Sequence, residues 1–221
     1  MTWTIPNILT VFRLAAAPAV ALVFVFFARP LADWLAFALF IGASVTDYVD
    51  GWLARKLNQQ SRFGAMLDPI ADKAMVIIAL AVVLALSAMD PWIILPASVI
   101  FLREVFVSGL REFLGADAGR LAVTKLAKWK TTAQMVAIAV LLVSYGFSDL
   151  HNWMAIAETS ASYQTLMEQR GGFWWIAMIG SFGLGLGMIL LWIAGVLTAI
   201  TGWDYLRKAM PYLAEAGEEK H

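Results

Sequence analysis

The sequence predicts an all-α, polytopic integral membrane protein, a single membrane-embedded domain over residues 1–221 with about six transmembrane helices and a short N-terminal interfacial segment. Three observations carry this. Hydrophobic residues make up 61% of the chain and charged residues only 14%, against about 25% charged in soluble domains. The apolar residues come in stretches long enough to cross about 30 Å of hydrocarbon as helices. The sixteen Lys and Arg residues are spread unevenly over the turns between those stretches. A net charge of zero gives no pointer to nucleic acid, and the absence of cysteine excludes disulfides and thiolate metal ligands.

Met1 to Pro6 form the interfacial segment, with Trp3 as its anchor. The apolar stretch from Ile8 to Ala28 has no basic segment before it and is long enough to span, so it reads as a retained first helix, about 8–28, and not as a cleaved signal. Asn7 is placed to cap it. Asn7, Thr10 and Arg13 recur at steps of three and make a polar stripe at one end of the span. Two readings of that stripe stay open: a cap plus an arginine that snorkels to the headgroups, or a set of side chains facing a functional site.

Arg29-Pro30 closes the first helix, and the second covers about 31–57. Its apolar part, Leu31 to Thr46, is sixteen residues long, or about 24 Å, which puts Asp47 just inside the membrane boundary. After a polar turn from Asn58 to Arg62, the third helix covers about 65–88. Pro69 lies between Asp68 and Asp72, so the helix either begins near Leu67 or kinks at the proline. Asp90-Pro91 precedes the fourth helix, about 92–114, which carries Arg103 with Glu104 and Arg111 with Glu112; the two arginines, eight apart, share a face.

A basic connector over 115–130 brings Arg120, Lys125, Lys128 and Lys130, and the fifth helix is expected over about 129–147. The polar stretch 148–170 reads as a long loop with room for an interfacial helix, and His151 as an ordinary exposed loop histidine. In the sixth helix, about 173–201, Gly183 and Gly187 have the spacing of close helix contacts. An intramolecular contact is the expected use, with a homodimer seam as the alternative. The tail from Gly202 adds Trp203 and Tyr205 as interfacial aromatics, then Arg207 and Lys208. Six helices put both termini on one side, and only Arg29 and Arg170 fall in the opposite loops. The positive-inside rule therefore points to cytoplasmic termini.

The stretch that departs most from this apolar background runs from Asp47 to Asp72. On a helix Asp47, Asp50 and Ala54 share a face, and so do Gly64, Asp68 and Asp72. Two such faces opposed gather four carboxylates, hard oxygen ligands suited to Mg²⁺ or Mn²⁺, and two ions about 3.5–4 Å apart form a clamp for phosphoryl chemistry. Ordinary loop charge is the blander reading. It is disfavoured because each Asp near a bilayer centre costs about 2.5–3.5 kcal/mol. Gly51, Ala54 and Gly64 leave room beside these faces for a ligand to approach the backbone.

The spacing D-x2-D-G-x2-A-R-x8-G-x3-D-x3-D, with N-x2-T-x2-R over Asn7, Thr10 and Arg13, resembles the signature of the CDP-alcohol phosphotransferase family of integral membrane enzymes. The resemblance is tight over the first three helices and looser beyond. It implies that an alcohol attacks a CDP-linked lipid at the lipid-side phosphorus and releases CMP. On the matching positions it implies that Asp47, Asp50, Asp68 and Asp72 hold two divalent ions, and that Asp72, paired with Asp68 as the catalytic residues, takes the proton of the attacking hydroxyl. Asn7, Thr10, Arg13, Gly51, Ala54, Arg55 and Gly64 are then expected to bind the CDP part.

Three segments, I-P-N-I-L-T-V-F-R-L, F-L-R-E-V-F-V-S-G-L-R and K-L-A-K-W-K-T-T-A-Q, resemble the branch of that family that joins CDP-diacylglycerol to sn-glycerol 3-phosphate. The 148–170 stretch is longer than that branch leads one to expect. A phosphorylated acceptor accounts for the cations assigned to it, Arg103, Arg111, Lys125, Lys128 and Lys130. Inositol phosphate, serine or phosphatidylglycerol as acceptor stays open. So does a different class, an ion-coupled transporter whose intramembrane acids hold the moving cation. A transporter predicts an inverted repeat, and residues 115–221 contain no second D-x2-D.

Overall fold

The computed structural model describes residues 4–57, 61–115, 125–156 and 158–218. Trp3, Arg120 and His221 lie outside the described residues, as does everything beyond the backbone at Asp50, Gly51, Ala54, Arg55, Lys125 and Lys128. The described chain is α-helical: α1 (Ile5–Phe26), α2 (Leu31–Leu57), α3 (Arg62–Leu86), α4 (Pro91–Leu114), α5 (Lys125–Ile156), α6 (Ser160–Glu168) and α7 (Gly172–Glu218). Among the described residues α1, α3, α4, α5 and α7 each hold a span long and apolar enough to cross a membrane. The 27-residue α2 packs along α1 and α5. This is the polytopic all-α architecture expected from the composition.

The start of α1 departs from expectation by three residues. Its cap is Thr4, whose hydroxyl accepts the Asn7 N–H at 3.4 Å, and Pro6 occupies the first turn, where its missing N–H goes unmissed. Asn7 is therefore inside the helix, and its side chain makes a tertiary contact in place of the cap. In α3 the hydroxyl of Ser61 caps the first turn by accepting the Gly64 N–H at 2.9 Å. The helix thus begins ahead of Gly64 and carries Pro69 within it, which excludes a start near Leu67.

One core joins the spans. Ala16, Ala17 and Val20 of α1 meet Ala36, Phe40 and Ala43 of α2, with Leu80 and Val83 of α3, Ile100 of α4, Ile138 and Leu141 of α5 and Leu191 of α7 completing it. Lipid is as apolar as leucine, so close fit between helices has to hold such a bundle. The small residues supply that fit. At the α5–α7 contact a Cβ on Gly180 would come within 2.7 Å of Ser148, one on Gly187 within 2.7 Å of Leu141, and Gly183 backs onto Ser144. The Gly183/Gly187 pair therefore serves an intramolecular contact. The outward stripe of Leu95, Leu102, Phe106 and Phe113 on α4 is exposed and apolar, as a lipid-facing surface must be.

Polarity in the sequence marks the membrane boundary and not the helix ends. The expected helix 129–147 runs instead from Lys125 to Ile156, and the expected helix 173–201 continues to Glu218. The α5 extension contains no proline, and the α7 extension carries Gly202 and Pro211 without ending at either, so the backbone stays helical as it leaves the hydrocarbon. Most of the rest of the 148–170 stretch is α6, capped by Thr159. His151 belongs to α5, with its ring 4.8 Å from Phe173 and 6.0 Å from Tyr163. It ties α5, α6 and α7 together and is no free loop histidine.

The extended α7, at 47 residues or about 70 Å, outreaches the hydrocarbon. Its Tyr205 and Ala209 pack with Val107 and Leu114 of α4 in a second, smaller core. That core lies at the end of the bundle where α1, α3 and α5 begin and α2 and α4 finish. At the opposite end Arg29 holds Asp33 at 2.8 Å and Asp149 at 3.3 Å, joining the α1–α2 turn to α5.

Candidate active site

The polar stripe of α1 points at the aspartates. Asn7, Thr10 and Arg13 are 4%, 2% and 1% exposed, so an arginine snorkelling to headgroups is excluded. Arg13 Nη1 lies 2.7 Å from Asp47 Oδ1 on α2 and 2.5 Å from Asp72 Oδ1 on α3. The Thr10 hydroxyl donates to Asp68 Oδ1 at 2.7 Å. A full positive charge inside a membrane helix is tolerable here because two carboxylates face it. One face of α1 thus sets the positions of three of the four aspartates.

Gly64 has a specific neighbour as well. A Cβ on it would lie 2.8 Å from Asn7 Oδ1, and that same oxygen accepts a hydrogen bond from the Ser61 hydroxyl at 2.7 Å. The amide of Asn7 fills the space that a side chain at position 64 would need. Within the described structure the glycine therefore opens toward α1.

The donor set suits a divalent cation. Asp47 and Asp72 converge on one nitrogen with their side chains 45% and 50% exposed, and the next turn of α2 carries Asp50. Among the described residues no group of three His, Cys, Asp or Glu side chains is placed to hold a metal ion. What is present is carboxylate oxygen on facing helices, the ligand type that Mg²⁺ and Mn²⁺ take, here held by Arg13.

The carboxylates open into a cavity of about 270 Å³ whose lining includes Arg13, Asp47, Asp72, Lys73, Arg103, Glu104, Arg111, Lys130 and Gln134. Arg103 and Arg111 share it, as their spacing on one face predicted. Arg111 also stacks over the Tyr205 ring at 5.3 Å. Lys130, 3% exposed, forms an ion pair with Glu104. The cavity thus joins Asp47 of α2 and Asp72 of α3 to a larger set of cations, Lys73 of α3, Arg103 and Arg111 of α4 and Lys130 of α5, with Glu104 of α4 among them.

Lys73 and Glu104 are lining residues to which no role was assigned from sequence. Lys73 Nζ donates to Ser108 Oγ at 2.5 Å. Both are ionisable residues inside apolar spans, which was a legible signal. Their partners lie on other helices, Ser108 being 35 positions from Lys73 and Lys130 26 from Glu104, so no local spacing could pair them.

A profile of the family described as CDP-alcohol phosphatidyltransferase matches residues 3–200. The chain is 57% identical to a CDP-diacylglycerol–glycerol-3-phosphate 3-phosphatidyltransferase of Cereibacter sphaeroides, over 97% of this chain and 99% of that one. Proteins of the same name from Rickettsia bellii and Escherichia coli are 38% identical over 94% of this chain and 96% of theirs, and 46% identical over 64% and 78%.

Proposed function

The chain belongs to the CDP-alcohol phosphatidyltransferase family, and within it we propose that it transfers the phosphatidyl group of CDP-diacylglycerol to sn-glycerol 3-phosphate, giving phosphatidylglycerophosphate and CMP. One observation carries the acceptor: Asp47 and Asp72 share a single cavity with Lys73, Arg103, Arg111 and Lys130. An acceptor with nearly two negative charges, brought beside a diphosphate and four carboxylates, needs such a basic wall. Serine needs none. Family membership sets the transporter aside.

In this reading Asp47, Asp50, Asp68 and Asp72 hold two Mg²⁺ or Mn²⁺ ions, which when bound offset the charge of the diphosphate and of the leaving CMP. Asp72 accepts the proton of the glycerol 3-phosphate hydroxyl as its oxygen bonds to the lipid-side phosphorus and the bond from that phosphorus to CMP breaks. Arg13 and Thr10 keep the carboxylates in register, and with Asn7 they close the end of the site assigned to CDP, together with Gly51, Ala54, Arg55 and Gly64. Arg103, Arg111 and Lys130 receive the acceptor phosphate, with Lys125 and Lys128 on the next turns of α5.

Arg103→Ala is expected to raise the KM for glycerol 3-phosphate about tenfold to a hundredfold, the worth of one charge-assisted hydrogen bond, with far less effect on the KM for CDP-diacylglycerol. Arg103→Lys restores part of this, because the planar fork is lost. The wild-type enzyme should prefer glycerol 3-phosphate over inositol phosphate, serine and phosphatidylglycerol in the same CMP-release assay. Preference for any of those three contradicts the acceptor assignment.

The helices make the chain an integral membrane protein, and we place the site at the cytoplasmic face of the cell membrane on the distribution of Lys and Arg. Single cysteines at the exposed positions Ser160 and Arg207 test this with an impermeant maleimide on intact cells. The Ser160→Cys variant should label and the Arg207→Cys variant should not; the reverse pattern would invert the topology.

A further inference from the structure

We propose that Glu104 is a positioning residue that holds Lys130 and Arg103 as a pair receiving the acceptor phosphate. The proposal rests on the reaction inferred above and adds a residue that reading leaves unused. Glu104 is 8% exposed and Lys130 3%. Its carboxylate accepts from Arg103 Nη1 at 3.0 Å and from Lys130 Nζ. One acid therefore bridges two cations on two helices, α4 and α5, and all three residues line the cavity that Asp47 and Asp72 enter.

The charge count explains the arrangement. Two cations side by side repel each other and fluctuate apart unless an anion holds them. One carboxylate holds both and offsets only one of their two charges, so the pair keeps a net positive charge toward the cavity. An acid balancing each cation would cancel the field that attracts a phosphate, and no acid would leave Lys130 charged and unpaired in a low-dielectric interior. The stem of Arg103 is also guided from behind: a Cβ on Gly202 of α7 would stand 3.0 Å from Arg103 Cγ. The same turn of α4 orders Lys73, because Ser108 takes its ammonium while donating to the Glu104 carbonyl at 2.5 Å.

A purely structural ion pair and a positioning pair separate in a double variant. Glu104→Gln keeps the shape and removes the charge; it should raise the KM for glycerol 3-phosphate about tenfold or more, well beyond any fall in kcat or change in the KM for CDP-diacylglycerol. Combining Glu104→Gln with Lys130→Met removes both buried charges together, which leaves folding nearly neutral or improved. If the pair serves the phosphate, the double variant regains the wild-type melting temperature in detergent while its KM for glycerol 3-phosphate stays raised.

A double variant that recovers the wild-type KM overturns the proposal, as does a Glu104→Gln enzyme whose KM is unchanged or whose kcat falls as far as KM rises. Should Glu104→Gln alone fail to fold, Glu104→Asp decides, because it keeps the charge and both cations and draws the carboxylate back by one methylene: its KM for glycerol 3-phosphate should rise with kcat kept, and an unchanged KM overturns the proposal. Wild-type turnover with glycerol 3-phosphate, run alongside, keeps the two levels apart. Its absence sinks the reading of the reaction, whereas normal wild-type turnover with an unaffected variant sinks this proposal alone.

Discussion

Asp72→Asn is expected to lower CMP release by about 10³-fold or more at saturating substrates, with the folded protein retained in the membrane, and Asp47→Asn, Asp50→Asn and Asp68→Asn should do likewise. Asparagine keeps the volume and one acceptor oxygen of aspartate and gives up its charge. The contacts to α1 survive a single exchange: Thr10 donates to Asp68, and an amide oxygen accepts from a hydroxyl as a carboxylate does, while Arg13 keeps one charged partner when either Asp47 or Asp72 alone is changed. A divalent ion tolerates it poorly, because each carboxylate exchanged for a neutral amide takes one negative charge from a site that has to hold doubly charged cations. Loss of turnover without loss of fold therefore reads charge at the site and not geometry. Substantial activity in any two of the four variants would mean that the aspartates are not one functional cluster.

Arg13→Ala should harm both stability and turnover. Arg13 is among the largest fully buried side chains and bridges α1 to α2 and α3 through Asp47 and Asp72. Removing it leaves a void and two carboxylates facing each other. Breaking a buried pair costs about 3–5 kcal/mol; with both acids half exposed to water, about 3 kcal/mol is the expected loss here. A carboxylate displaced by about 1 Å costs about a hundredfold in rate, and the variant should lose at least that. Thermal unfolding in detergent and CMP release give the two readouts, and Arg13→Lys, which keeps the charge without the fork, should fall between. An Arg13→Ala enzyme with normal stability and rate would mean that α1 does not organise the carboxylates.

The legible part of this site is the part written in helical period. Asp47 and Asp50 on α2, and Gly64, Asp68 and Asp72 on α3, share faces at any rotation of the two helices, so their grouping needed no tertiary information. The α1 stripe is legible as a stripe and not by its partners: steps of three place Asn7, Thr10 and Arg13 together, yet only packing decides that Thr10 and Arg13 meet aspartates 34 to 59 positions away and that Asn7 meets Ser61, 54 positions away. The cap at Thr4 was missed because Asn7 is the better capping residue taken alone, while Pro6 sets the start of the helix one turn earlier. Helix ends were misread wherever charge and helix continue together, at Lys125, Ile156 and beyond Thr201. Glu104 was visible as an acid in an apolar span. Its bridging of Arg103 and Lys130 depends on how α4 and α5 lie against each other, which no spacing within α4 encodes.

The metal-assisted transfer is tested most directly with the purified protein in detergent, supplied with CDP-diacylglycerol and sn-glycerol 3-phosphate. CMP and phosphatidylglycerophosphate should appear in equal amounts, only when glycerol 3-phosphate is present, should stop on chelation, and should resume when Mg²⁺ or Mn²⁺ is returned. Turnover that persists through chelation, or CMP released at the same rate without the acceptor, would contradict it.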